Sequence, residues 1–139
     1  VNKFIYGAKV PFTDIRLSPL EQPKRGDVIV FIYPENPKKD FIKRLVAFGG
    51  EEVEIKNGTV YINDKPLLEP EFNSRYYYNR GGLAEEGKKI TVPKDSFFVL
   101  GDNSASSQDS RYWGFVPHKN ILGKAMLIYW PPRRIRIIR

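Results

Sequence analysis

A lysine placed between two large apolar residues on one face of a strand is the most suggestive chemical feature of this sequence. In Asp40-Phe41-Ile42-Lys43-Arg44-Leu45-Val46 the side chains of a strand alternate between faces, so Phe41, Lys43 and Leu45 share one. Burial disfavours an ammonium ion, so a lysine held there has its pKa lowered and can act as a general base near neutral pH. The blander outcome is that its stem covers apolar surface while the head reaches water, and the strand alone leaves both open. A second dense segment runs from Gly101 to Gly114, directly after the apolar run Phe97-Phe98-Val99-Leu100. It gathers small polar groups, Asp102, Asp109 and Arg111. Asp109 and Arg111 can form a hydrogen-bonded clamp, and Ser107 can exchange a hydrogen bond with a nearby amine. Such a stretch is also what a turn satisfying its own backbone looks like. Trp113 is costly to leave in water, so the loop is expected to pack down on the core.

Other chemistries are excluded by composition. There is no cysteine, which removes disulfides, thiol catalysis and thiolate metal sites, and the single histidine, His118, cannot build a histidine-rich metal centre. A chain of 139 residues suits one domain, 1–139, and buries roughly two-thirds of the surface its unfolded form exposes. With 41% apolar and 14% aromatic residues, disorder is not expected. No segment approaches the roughly 18 to 20 apolar residues of a spanning helix. The net charge of +7 is diffuse apart from Arg133, Arg134, Arg136 and Arg139. Ile135, Ile137 and Ile138 thread through that cluster, which reads either as a solvated edge strand or as a surface for acidic phospholipid or nucleic acid.

The elements that must position Lys43 and the 101–114 segment are strands. Short β-branched and aromatic runs predict strands at 28–33, 41–48, 52–55, 59–62, 90–92, 96–100 and 121–130, with almost no helical periodicity. Asn57-Gly58 tolerates the positive φ of a type I′ turn, so 53–62 is expected to be a hairpin. Pro34, Pro37 and the lysines before Asp40 predict a second, longer hairpin loop. The stretch 69–89 is expected to be a long surface excursion. The fold class is all-β, with coiled antiparallel sheets or a small barrel.

Three segments resemble the conserved boxes of bacterial type I signal peptidases, in the family's order. Lys24 to Phe31 (KRGDVIVF) is similar to its R-G-D box, Asp40 to Glu51 to its lysine box, and Gly101 to Gly114 to its box G-D-N-x-x-N-S-x-D-S-R-x-x-G. Gly58 to Glu69 also resembles the hairpin between boxes. The resemblance implies that Lys43 is the general base of a Ser-Lys dyad, with Ser107 orienting it and Asp109 and Arg111 supporting the site as an ion pair. It further implies that Asp40, Phe41 and Ile42 line a cleft for an added peptide strand, and that Val30 helps to floor one of its pockets. No metal or organic cofactor is implied. The implied partners are signal peptides of exported preproteins and a lipid membrane surface, with no nucleic acid. The implied location is the bacterial cytoplasmic membrane, the catalytic domain on its extracytoplasmic side.

This sequence departs from the pattern at Ala47, Gly49 and Glu51, where the family usually has Gly, Pro and Asp, and at Ser106, where Asn is usual. The family's nucleophile lies in an S-M-x-P-T box upstream of the segment that Val1-Asn2-Lys3-Phe4 resembles, and no such motif occurs here. The expectation is therefore a truncated catalytic domain without its anchor and nucleophile, inactive by itself. Ser18 is the nearest imitation of the missing serine and is expected in the loop before the R-G-D box. Two other readings compete. One is a signal-peptidase-like adaptor that binds peptides without cutting them. The other is a basic β-barrel that stacks nucleic-acid bases on Tyr76, Tyr77, Tyr78 and Trp130.

Overall fold

In a computed structural model the chain is described at residues 5–6, 13–18, 22–129 and 134–137. Twelve strands and three short helical turns follow in the order β1 (Ile5–Tyr6), β2 (Thr13–Ser18), β3 (Val28–Ile32), β4 (Asp40–Phe48), β5 (Glu52–Lys56), β6 (Thr59–Ile62), β7 (Lys65–Pro66), α1 (Pro70–Asn73), β8 (Ile90–Thr91), β9 (Ser96–Leu100), α2 (Ser110–Trp113), β10 (Val116–Pro117), a 3₁₀ turn (His118–Asn120), β11 (Ile121–Tyr129) and β12 (Arg134–Ile137). An eight-stranded sheet orders β10-β9-β4-β3-β11-β12, with β2 on β11 and β1 on β4, and β7-β6-β5-β8 form a smaller one. Among the described residues every strand pairing is antiparallel except β1 with β4. This is the mostly β, antiparallel class expected from the strand pattern. Trp130, the last residue of the anticipated final strand, lies outside the described residues.

The hairpin at Asn57-Gly58 forms with φ of 51° and 78°, the left-handed pair that a type I′ turn demands. Its strands β5 and β6 carry Val53, Ile55, Val60 and Ile62 into a core shared with Val46, Phe98 and Leu100. A second core gathers Ile29, Phe31, Phe41, Leu45, Phe97 and Val99. Strand β9 thus buries Phe97 and Val99 on one face and Phe98 and Leu100 on the other, which explains its unbroken apolar run. The irregular stretch 69–89 is largely exposed but pinned to the core at three points. Phe72, Tyr77 and Ala84 anchor it in the first core, and Tyr77 bridges to Gly58. Because Tyr77 is buried, it cannot serve as a stacking surface beside the exposed Tyr76 and Tyr78.

Candidate active site

Lys43 sits mid-strand on β4, across from Ile29 on β3, where the pleat points it to the same side as Phe41 and Leu45. The side chain is only 5% exposed, so its head does not reach out to water. Instead Nζ donates to Ser107 Oγ at 3.1 Å and lies 5.6 Å from the centre of the Phe41 ring. Among the described residues no carboxylate forms an ion pair with it. Desolvation therefore pulls its pKa below the ordinary lysine value. Asp109 and Asp102 push back, Arg111 acts in the same direction as burial, and the net shift is downward. The burial reading of the strand, rather than the solvated one, is what the fold adopts.

Ser107 belongs to the loop between β9 and α2, and the clamp expected from the sequence is what holds that loop. Asp109 and Arg111 are both 0% exposed. Arg111 Nε donates to Asp109 Oδ1 at 2.8 Å, and Nη2 donates to Oδ2 at 3.0 Å. The three remaining guanidinium protons serve four acceptors, one proton of Nη2 being shared: Ser104 Oγ (2.8 Å), Ser104 O (2.9 Å), Tyr78 O (3.0 Å) and Ser107 O (3.2 Å). A buried guanidinium is tolerable only when saturated in this way. Asp109 also caps α2 by accepting from the Arg111 N–H, and accepts from the Gly101 N–H at 3.0 Å. Gly101 is required by space: a Cβ there would lie 1.9 Å from Ser107 Oγ and 3.6 Å from Lys43 Nζ. Trp113 packs against Phe31, Tyr33 and Phe41, as the cost of exposing it suggested.

Val30 and Ile42, the other residues assigned to the peptide cleft, are cross-strand partners. They pack with Val28 and Ala125 on the face of β4 opposite to Phe41 and Lys43. Among the described residues, β4 pairs on its far edge with β1 at Asp40–Phe41 and with β9 from Arg44 onward. Ser18 is placed differently from expectation. It ends strand β2 rather than lying in a loop, opposite Lys124, which faces Ile29, which in turn faces Lys43. Three interstrand steps of about 4.8 Å separate it from Lys43.

Several residues escaped the sequence reading. Arg44 binds Asp102 through two bonds of 2.8 and 2.7 Å and donates to Gly26 O, tying the strand, the loop and the R-G-D turn together. Glu51, where a shorter Asp is usual, reaches Arg25 through two 2.7 Å bonds and accepts from the Phe48 N–H. Burial opposes its charge, yet these bonds prevail and hold its carboxyl below the ordinary range. Gly49, where Pro is usual, lies where a Cβ would meet Pro93 O at 2.8 Å. Ser104 carried no signal, being one of several serines of equal standing in its segment. Among the described residues no cluster of three or more metal-ligating side chains occurs.

The class so defined is a β-sheet protein that shields a lysine amine from water and sets it against a serine hydroxyl. Residues 1–130 match the family model described as signal peptidase, peptidase S26. Signal peptidase I of Pseudomonas aeruginosa is 33% identical over 94% of this chain and 58% of its own length. The enzymes of Leptolyngbya laminosa (42% identity, 81% of this chain and 56% of that protein) and Aquifex aeolicus (34%, 94% and 67%) are similar as well. A crystal structure of a signal peptidase I from Enterococcus faecalis V583 superposes with a TM-score of 0.60 at 33% identity, covering 75% of this chain and 97% of that one. The chain belongs to the signal peptidase family, peptidase S26. It spans a little over half to two-thirds of the length of these curated relatives.

Proposed function

We propose that this chain forms the β-rich catalytic domain of a membrane-bound serine endopeptidase that removes signal peptides from exported preproteins with a Ser-Lys dyad. The observation that carries this is the buried amine of Lys43 against Ser107 Oγ at 3.1 Å, with its pKa lowered by desolvation. A neutral Nζ takes the proton from the nucleophilic hydroxyl as that oxygen attacks the scissile carbonyl carbon. It then returns the proton to the leaving amine as the C–N bond breaks, and a water molecule repeats the sequence on the acyl-enzyme. Ser107 holds the amine in register. The nucleophile itself is assigned, within this proposal, to a serine of the S-M-x-P-T kind that the family carries.

Recognition of the peptide as an added strand along β4 belongs to the same proposal, since strand addition supplies main-chain hydrogen bonds and pockets then select alternate side chains. Alternate side chains of such a strand would point to the Phe41–Lys43 face and to the Val30–Ile42 face. Location on the extracytoplasmic side of the bacterial cytoplasmic membrane, with lipid contact, follows from the same assignment. Among the described residues no helix is long and apolar enough to cross a membrane.

The test is cleavage of a preprotein by the full-length protein and its Lys43→Met variant. Methionine keeps the volume and removes the base, so the variant is expected to stay folded and lose cleavage by at least about 10³-fold, within the range for general-base and nucleophile activation. A variant that cuts as well as its parent refutes Lys43 as the base. A full-length parent that binds signal peptides without cutting them refutes the peptidase assignment.

A further inference from the structure

Residues 75–83 run as a strap along the loop that carries Ser107. Arg75 Nη2 stands 3.3 Å from Asp102 Oδ2. The Tyr78 N–H donates to Ser104 Oγ at 2.9 Å, and Tyr78 O accepts from Arg111 Nη1 at 3.0 Å. Arg80 Nη1 donates to Ala105 O at 2.7 Å, and the Leu83 N–H donates to Arg111 O at 3.0 Å. The two lie so close that a Cβ on Gly81 would come within 2.3 Å of Arg111 O. Tyr77, fully buried between these contacts, fixes the strap to the core beneath the β5–β6 hairpin.

Ser104 is where strap and loop are joined. Its buried hydroxyl accepts from the Tyr78 main chain and from Arg111 Nη1 at once. The same guanidinium holds Ser107 O through Nη2, and Ser107 Oγ holds Lys43. We propose that Ser104 is a positioning residue for the Lys43–Ser107 pair, passing the fixed position of the strap through Arg111 to the serine beside the amine. The proposal rests on the reading of that pair as the reacting centre. Removing the hydroxyl leaves two buried donors, one of them charged, without their acceptor. Arg111 then shifts to find another partner, and its 3.2 Å bond to Ser107 O, among the longest it makes, is the first to yield. Ser107 moves off Nζ and water enters. Of the charged groups facing Lys43, Asp109 and Asp102 remain in place while Arg111 shifts but keeps its charge, and the Phe41 ring is unmoved.

The experiment follows the Lys43 amine directly by NMR titration of the chain with ¹³C-labelled lysine, the signal assigned through Lys43→Met. In Ser104→Ala the midpoint is expected to move up by about half a unit or more, as hydration returns to the amine. Ser104→Thr, which keeps the acceptor, is expected to hold the parent value. In the full-length protein Ser104→Ala should lower kcat about 10-fold or more with KM little changed, the signature of a misplaced reacting group. A Ser104→Ala protein with a lowered Tm but an unaltered midpoint and kcat overturns the proposal. Should Ser104→Ala not fold, Arg80→Ala, which loosens the strap from its exposed side, decides by the same midpoint: an upward move supports the proposal and an unchanged value overturns it. If the full-length parent cleaves nothing, the peptidase reading fails while the Lys43 midpoint still judges Ser104.

Discussion

Gly101→Ala is the sharpest test of the site because its effect is steric and its geometry is known. Gly101 is not among the positive-φ glycines, so the backbone accepts alanine and only the added methyl matters. That methyl would sit 1.9 Å from Ser107 Oγ and 2.4 Å from Ser107 Cβ. Reaching ordinary contact at 3.4 Å requires moves of 1.5 Å and 1.0 Å respectively. Rotating the Ser107 side chain relieves the first clash and not the second, so its backbone must move although Arg111 Nη2 holds its carbonyl. Overpacking of this kind costs about 1–3 kcal/mol of stability. A displacement of about 1 Å in a positioning group costs about 10²-fold in rate. Preprotein cleavage by the full-length protein, thermal unfolding and the Lys43 titration measure the three consequences. Gly49→Ala is the comparator: it meets Pro93 O at 2.8 Å, away from the amine, and is expected to lose stability while keeping kcat. Gly101→Ala with wild-type kcat and an unchanged Lys43 midpoint would refute the packing of Ser107 between Gly101 and the amine.

Two further outcomes follow from charge. Asp109→Asn leaves the fully buried Arg111 without its counter-ion, a change that typically costs about 3–5 kcal/mol, to be read from chemical denaturation midpoints. Lys43, with its folded pKa below the ordinary 10.5, makes the unfolded chain the better proton binder between those two values. Its contribution to stability therefore rises with pH through that window, and Lys43→Met should abolish the rise in a pH series of unfolding measurements.

What was legible in the sequence was local. Alternation placed Lys43 with Phe41 and Leu45, Asn57-Gly58 fixed one hairpin, and the charge pattern paired Asp109 with Arg111. Each depends on residues a few positions apart, or on a turn whose φ values only certain residues accept. The contacts that escaped are long-range. Arg44 finds Asp102 because β9 lies beside β4 with Leu100 opposite Arg44, and nothing in either segment states that register. The stretch 69–89 was expected as a surface excursion, and nothing in Tyr76-Tyr77-Tyr78 states which of the three rings is buried. Only the hairpin turn beneath it decides that the middle tyrosine is buried and the outer two are exposed. Ser104 was invisible for the same reason, since its two donors come from Tyr78 and Arg111 and meet only in the folded chain.

The electrostatics around Lys43 show how a buried ion pair can stand behind an amine without holding it in its charged form. Asp109 alone would raise the pKa of Lys43, and Arg111 alone would lower it. Bound to each other through two hydrogen bonds at zero exposure, they form a pair with no net charge, and their effects on the amine oppose each other. Burial then sets the direction of the shift. The pair gives the loop its rigidity without supplying the amine with a counter-ion that would keep it protonated. A lone carboxylate could have held the same loop, but it would have stabilised the ammonium form of Lys43.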